Sequence, residues 1–252
     1  MPRYLRVRSA SGIYHVMLRG INKQIIFESD EDRYRFVKTI DRFKAISKYE
    51  VYGYCLMSNH VHLLLKETDE PISTAIKRIC SSYVYWYNWN YERCGHLFQE
   101  RYNSEIVESD CYLLTVLRYI HQNPVKAGMS ENANGYPWSS YNEYVTKPKI
   151  VDSDFVFSMF SADKKKAVRL FCEHTNMLNE DRCLDISEKR RLTDNAVNEY
   201  LAKLGVKCIS ELQQSELRKR NEIIRELKAI EGVTIRQLAR VIGIPKSVID
   251  RI

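Results

Sequence analysis

Two clusters of side chains give this chain its chemistry. His60 and His62 stand two apart in Asn59-His60-Val61-His62-Leu63-Leu64-Leu65, and residues two apart in a β-strand project from one face. The apolar residues around them read as a strand deep in a sheet, where two imidazoles without partners are costly to bury. A metal ion is one partner, since neutral imidazole is a common ligand. A hydrogen-bonded core pair is the other, and the tripeptide alone leaves both open. Tyr119 and Asn123 lie four apart in Leu117-Arg118-Tyr119-Ile120-His121-Gln122-Asn123-Pro124, so they share one face of a helix. A phenol beside a divalent cation can attack a phosphodiester and form a covalent phosphotyrosine. An amide oxygen suits a hard ion such as Mg²⁺ as a further ligand. The same spacing also describes an ordinary packed tyrosine, in a chain that has 17 of them.

The elements that must position these groups follow from periodicity and punctuation. Residues 12–20 alternate as a first strand. Ser29-Asp30-Glu31-Asp32 opens a helix with acids in its first turn, which runs to about Lys48. Val51–Met57 is a second strand and Asn59–Lys66 a third, joined tightly at Ser58-Asn59 or continuous with a bend. A second helix runs from Pro71 to about Tyr91, and the stretch 98–107 holds a further strand. Ser109-Asp110 caps a third helix, which Asn123-Pro124 terminates or kinks, because proline disfavours helix in the residue before it. The order β-α-β-β-α-β-α predicts an α+β fold, a ferredoxin-like split βαβ antiparallel sheet with helices on one side.

Lys147-Pro148-Lys149 reads as a linker, giving domains 1–146 and 147–252. After it, strand signal fades and residues 163–174, 187–204 and 210–231 read as helices. The end of the chain has the pattern of a helix-turn-helix: apolar Leu238, Ala239 and Ile242, a turn at Gly243, and a second helix from about Pro245-Lys246-Ser247. An ordinary helical hairpin has the same pattern.

The net charge of +7 is uneven: residues 1–146 carry 18 Lys/Arg against 16 Asp/Glu, and residues 147–252 carry 21 against 16. A mildly basic, tyrosine-rich front and a more basic tail suit a nucleic-acid protein. No run approaches the roughly 18 apolar residues that span a bilayer. The first residues lack the apolar stretch of a secretion signal. Seven cysteines without paired spacing point to reduced thiols in a cytosol.

Taken together, Tyr14-His15-Val16-Met17-Leu18-Arg19-Gly20, Asn59-His60-Val61-His62-Leu63-Leu64, Gly95-His96-Leu97-Phe98-Gln99-Glu100-Arg101-Tyr102 and Tyr119-Ile120-His121-Gln122-Asn123-Pro124-Val125-Lys126-Ala127-Gly128 resemble the HUH single-tyrosine transposases. The REP-associated tyrosine transposase branch is the nearest in pattern, over residues 12 to about 144. The resemblance implies a metal-dependent DNA transposase and nickase. His60, His62 and Asn123 would bind Mg²⁺ or Mn²⁺, and Tyr119 would attack single-stranded DNA beside a hairpin, keep a 5′-phosphotyrosine and release a 3′-hydroxyl. Insertion-sequence members often carry glutamine where this chain has Asn123, a residue of shorter reach. His121 is read as structural or DNA-facing.

For DNA contact, Arg3, Arg6 and Arg8 form an acid-free basic arm able to track phosphates; a solvated tail reads the same way. Arg19 and Arg101 are further phosphate candidates. The aromatics between Tyr83 and Tyr91 are expected in the core or on a dimer surface rather than stacked on bases. The resemblance further implies a bacterial cytoplasmic, nucleoid-associated protein. It is either a homodimer sharing its tyrosine helix in trans or, as the long C-terminal extension favours, a monomer acting in cis. The rival readings are a hairpin-DNA-binding regulator that has lost its chemistry, and a metal-dependent phosphodiesterase without a covalent tyrosine.

Overall fold

The computed structural model describes residues 7–99, 101–181, 183–184, 192–206, 208–230 and 232–252. They form two compact units, Met1–Asp185 and Ile186–Ile252. The first unit begins with β1 (Ile13–Arg19), α1 (Asp30–Ser47), β2 (Glu50–Leu56), β3 (His60–Lys66), α2 (Ile72–Asn90), β4 (Asn103–Ile106) and α3 (Asp110–Lys126), in the order the sequence predicts. The four strands make one sheet in the order β2-β3-β1-β4, antiparallel at every pairing.

Local chemistry sets the ends of these elements. At the start of α1 the Ser29 hydroxyl accepts from the Asp32 N–H, and the Asp32 carboxylate accepts from the Ser29 N–H. This reciprocal cap satisfies two donors that the first helical turn leaves open. β2 and β3 are joined by a tight turn, closed by the Met57 N–H donating to the His60 carbonyl at 2.9 Å. The neighbouring Ser58 carbonyl accepts from the Ile26 and Phe27 N–H groups, which pins the turn to the segment after β1.

The sheet is covered on both faces, which corrects the expectation of helices on one side. Strand alternation places His15, Met17, Arg19, His60, His62 and Leu64 on one face, and Val16, Leu18, Val61 and Leu63 on the other. α3 lies on the histidine face, so close that a Cβ on Gly53 of β2 would meet Leu117 Cδ1 at 2.6 Å. On the opposite face Leu18 borders a cavity of about 390 Å³ together with Ile76 and Cys80 of α2. α1 and α2 pack together there, with Phe36 edge-on to Tyr83 at 5.0 Å. β2 and β3 are accordingly buried along nearly their whole length, as strands covered on both faces must be.

Two further expectations change. α3 continues through Pro124 to Lys126, so of the two outcomes expected at Asn123-Pro124, an end or a kink, the end does not occur. Proline forfeits one backbone hydrogen bond, but Ala127 and Met129 still donate to the carbonyls of Asn123 and Pro124, so the final turn closes. The boundary expected at 146/147 is also displaced, to Asp185/Ile186. The Glu143 carboxylate accepts from the N–H groups of Lys149, Ile150 and Val151. Asp152 then adds to the edge of β2, donating its N–H to the Val51 carbonyl and accepting the Val51 N–H, both at 2.8 Å. The helices α4 (Tyr141–Val145), α5 (Ser153–Ser158) and α6 (Lys164–Asn176) share an aromatic core in which Phe171 stacks on Tyr144 at 4.5 Å.

The second unit contains α7 (Asp194–Lys203), α8 (Ile209–Gln214), α9 (Leu217–Ala229), α10 (Ile235–Ile242) and α11 (Lys246–Arg251). It has its own apolar core, including Val197, Leu212, Ile224, Leu238 and Ile249. The helix expected over 210–231 is two helices, parted at Ser215, whose extended backbone ends α8 and whose hydroxyl donates to the Leu212 carbonyl. α10 turns into α11 at Gly243, which holds the left-handed conformation at φ 66°. Among the described residues no helix is long and apolar enough to cross a membrane.

Candidate metal and tyrosine site

The histidine face of the sheet gathers three imidazoles. His60 and His62 project side by side from β3, with ring centroids 5.0 Å apart and planes nearly perpendicular. The third is His15 of β1, which the spacing of β3 could not disclose. The register sets His15 opposite Leu64 and Met17 opposite His62, so His15 and His62 are diagonal neighbours on one face. His15 Nε2 and His62 Nδ1 are 2.9 Å apart, a hydrogen bond with both rings fully buried.

α3 brings Tyr119 down onto this cluster. Its ring lies edge-on to His62, with centroids 5.7 Å apart, and to His15 at 6.1 Å. The amine of Lys126 lies 5.3 Å over the same ring. The outer side of α3 is fastened by the end of α6 and the chain after it: Arg118 makes a two-pronged ion pair with Asp181, at 2.7 and 3.0 Å, and Gln122 donates to the carbonyls of Thr175 and Met177. These ties fix the rotation of α3 about its axis and so the direction of Tyr119. Asn123 follows one turn later, half buried.

Hydrogen bonding presents the β3 imidazoles in the form a cation requires. His60 Nδ1 lies 2.7 Å from the Asn59 side-chain oxygen, which only accepts, while the Asn59 amide nitrogen donates to the Lys23 carbonyl. Nδ1 of His60 therefore carries the proton, and Nε2 keeps its lone pair. In His62, Nδ1 is occupied by His15, and the buried Nε2 has no hydrogen-bond partner. Burial, with the nearby His15 and His60 adding to it, holds His62 well below the ordinary histidine range. It is thus neutral, as a ligand must be. This donor set fits a divalent cation bound through Nε2 atoms. Among the described residues no group of three or more His, Cys, Asp or Glu is arranged to hold a metal, so other ligand types would complete the shell.

The remaining expected residues divide. His121, on α3, is fully buried, bonded through Nε2 to the Ser140 hydroxyl at 2.8 Å and walled by Tyr141, Tyr144 and Phe171. It is structural, and a DNA-facing role is excluded by its burial. Arg19, at the end of β1 opposite His60, and Arg101 line the cavity bordered by Ile76 and Cys80 of α2, which includes none of the three histidines, Tyr119 or Asn123. Arg8 is exposed before the other end of β1. Arg3 and Arg6 lie outside the described residues. Tyr83 and Tyr87 are core residues, whereas Tyr85 and Trp89 are 79% and 74% exposed. Glu105 of β4 was also unforeseen: it lies opposite His15 in the register, with its carboxylate 4.0 Å from His15 Nδ1.

A putative REP-associated tyrosine transposase of Haemophilus influenzae is 25% identical over 170 residues, spanning 62% of this chain and 93% of that protein. A solved structure of a REP-associated tyrosine transposase bound to a REP hairpin has the same fold. Its TM-score is 0.52 at 16% identity, covering 74% of this chain and 100% of the other. The family model for IS200-like transposases matches residues 9–123, a segment holding every strand, the three clustered histidines, Tyr119 and Asn123. Over that segment the chain is similar to the IS200-like transposase family.

Proposed function

We propose that this protein is a transposase that cleaves and rejoins single-stranded DNA beside a hairpin by way of a covalent bond between Tyr119 and the DNA. The observation that carries the reading is the packing of the Tyr119 ring against the metal-competent His62, 5.7 Å between centroids. Tyr119 Oη attacks the scissile phosphorus, and the bond from phosphorus to the 3′-oxygen breaks. The 3′-oxygen leaves as a hydroxyl after taking up a proton, while the phenolic proton passes to solvent. The product is a 5′-phosphotyrosine, and attack on it by another 3′-hydroxyl restores the phosphodiester and frees Tyr119 without external energy.

His60 and His62, with the amide oxygen of Asn123, would hold Mg²⁺ or Mn²⁺, which when bound supplies positive charge that polarises the phosphate and steadies the leaving oxygen. Arg19 and Arg101 would position neighbouring phosphates, and Arg3, Arg6 and Arg8 would track the backbone further out. Tyr119 meets the histidines of its own chain, which supports a monomer acting in cis. In the second unit, the α10–Gly243–α11 pair with exposed Arg236 and Lys246 has the form of a helix-turn-helix, and we assign it to duplex DNA. A cytoplasmic place at the nucleoid follows from such substrates.

The test is to incubate the full chain with a single-stranded hairpin oligonucleotide and Mg²⁺ and to look for protein–DNA adduct on a denaturing gel. An adduct that disappears in Tyr119→Phe supports the proposal. Cleavage without adduct would favour the phosphodiesterase, and binding with neither would favour the regulator.

A further inference from the structure

The buried histidine of β1 takes no part in the cleavage chemistry, yet among the described residues it is the hydrogen-bond partner of His62. We infer that His15 is the positioning residue for His62: it fixes the tautomer and the plane of that imidazole so that Nε2 is aimed at a divalent cation. The inference rests on the metal reading of His60 and His62.

The argument is one of polarity and geometry. An imidazole can ligate through Nε2 only when Nδ1 holds its proton, and that proton needs an acceptor. For His60 the acceptor is the oxygen of Asn59. For His62 the hydrogen-bond partner of Nδ1 is His15 Nε2, at 2.9 Å. Either nitrogen can donate in an isolated pair of imidazoles. Here Glu105 breaks the tie: its carboxylate stands 4.0 Å from the far nitrogen of His15, too long for a hydrogen bond but close enough to favour a proton on Nδ1 of His15. With its proton on that side, His15 presents a lone pair at Nε2, His62 donates into it, and His62 Nε2 is left as the ligand atom. The chain Glu105–His15–His62 extends the familiar carboxylate–histidine support of metal ligands by one ring.

The sheet makes the arrangement rigid. β1 is central, paired with both β3 and β4, so His15 stands in register with Glu105 on one side and diagonal to His62 on the other. His15 and His62 are both fully buried, leaving neither ring room to turn. Tyr119 packs edge-on to both, so the orientation that aims His62 also shapes the surface that receives the phenol.

The experiment measures Mn²⁺ binding to the full-length chain from the loss of the free-ion electron paramagnetic resonance signal, with no DNA present. His15→Phe keeps a ring but offers no nitrogen, and it should weaken Mn²⁺ binding by about 10- to 100-fold, the cost of losing an outer partner of a ligand. His15→Gln can still accept from His62 and should stay within about threefold of the parent. Hairpin-oligonucleotide binding in EDTA should be the same in all three, which separates positioning from collapse of the fold. Should His15→Phe fail to fold, His15→Asn, a methylene too short to reach, takes its place against His15→Gln. Wild-type affinity in the Phe or Asn variant, or equal losses in the Gln variant, would overturn the positioning role. Failure of the parent chain to bind Mn²⁺ would overturn the metal reading itself and this inference with it, whereas losses confined to the variants leave that reading standing.

Discussion

His62 and His121 are alike by every simple measure and differ in what surrounds them. Both are fully buried, burial pushes both below the ordinary histidine range, and each has one ring nitrogen without a hydrogen-bond partner. His121 is enclosed by Tyr141, Tyr144 and Phe171 and anchored by the Ser140 hydroxyl, a closed apolar cage with no second ligand. His62 has two other imidazoles and a phenol around it. Burial and a depressed pKa therefore do not mark a functional histidine; the company of further donors does.

The comparison can be broken by substitution on either side. The largest effect is expected at Tyr119: Tyr119→Phe should lower formation of the covalent adduct by about a thousandfold or more, as loss of a nucleophile does, with hairpin binding retained in a gel-shift assay. His62→Ala should cut Mg²⁺-dependent cleavage by about a hundredfold or more, since even an outer partner of a ligand is worth 10–100-fold. His121→Ala should do the reverse, lowering the free energy of unfolding by about 2–4 kcal/mol in denaturant titrations while the folded fraction forms adduct at close to the parental rate. A large loss of adduct per folded molecule in His121→Ala would erase the distinction.

Acid sharpens it further. His121 titrates near 6.5 when unfolded but takes no proton in the folded chain until the pH falls to about 3. The unfolded state therefore binds more protons between those values. The contribution of neutral His121 is complete above about pH 6.5 and falls by about 1.4 kcal/mol per pH unit below it. In His121→Phe the decline of stability from pH 6.5 to 4.5 should be shallower by about one proton, read from guanidinium midpoints. The smallest effect is expected from Tyr144→Phe. It removes the hydroxyl that donates to the Tyr52 carbonyl at 2.6 Å, costs about 1 kcal/mol and leaves cleavage unchanged.

The contrast also explains what could be read in advance. The order of strands and helices was legible because periodicity and caps such as Ser29 and Asp32 are local. His60 and His62 shared a face by strand geometry alone. His15 was hidden because its partner lies 47 residues away, brought close only by the register of β1 on β3. Glu105 escaped for the same reason on β4. Lys147-Pro148-Lys149 resembles a linker by composition, yet the single carboxylate of Glu143 collects the N–H groups of Lys149, Ile150 and Val151. The helix on the second face had a sign in the sequence, since the near-unbroken apolar run of β3 is what two-sided burial demands. Pro124 does not end α3, because a single lost hydrogen bond near a helix end is cheaper than the general rule implies.

The central claim, that Tyr119 is the atom-for-atom point of attachment, is tested most directly by digesting the trapped adduct with trypsin and nuclease and sequencing the peptides by mass spectrometry. Cleavage after Arg118 and Lys126 isolates Tyr119-Ile120-His121-Gln122-Asn123-Pro124-Val125-Lys126, a peptide with a single tyrosine. The account predicts a 5′-phosphonucleotide on that tyrosine. A nucleotide on any other residue, or none on a chain that still cleaves its hairpin, would contradict it.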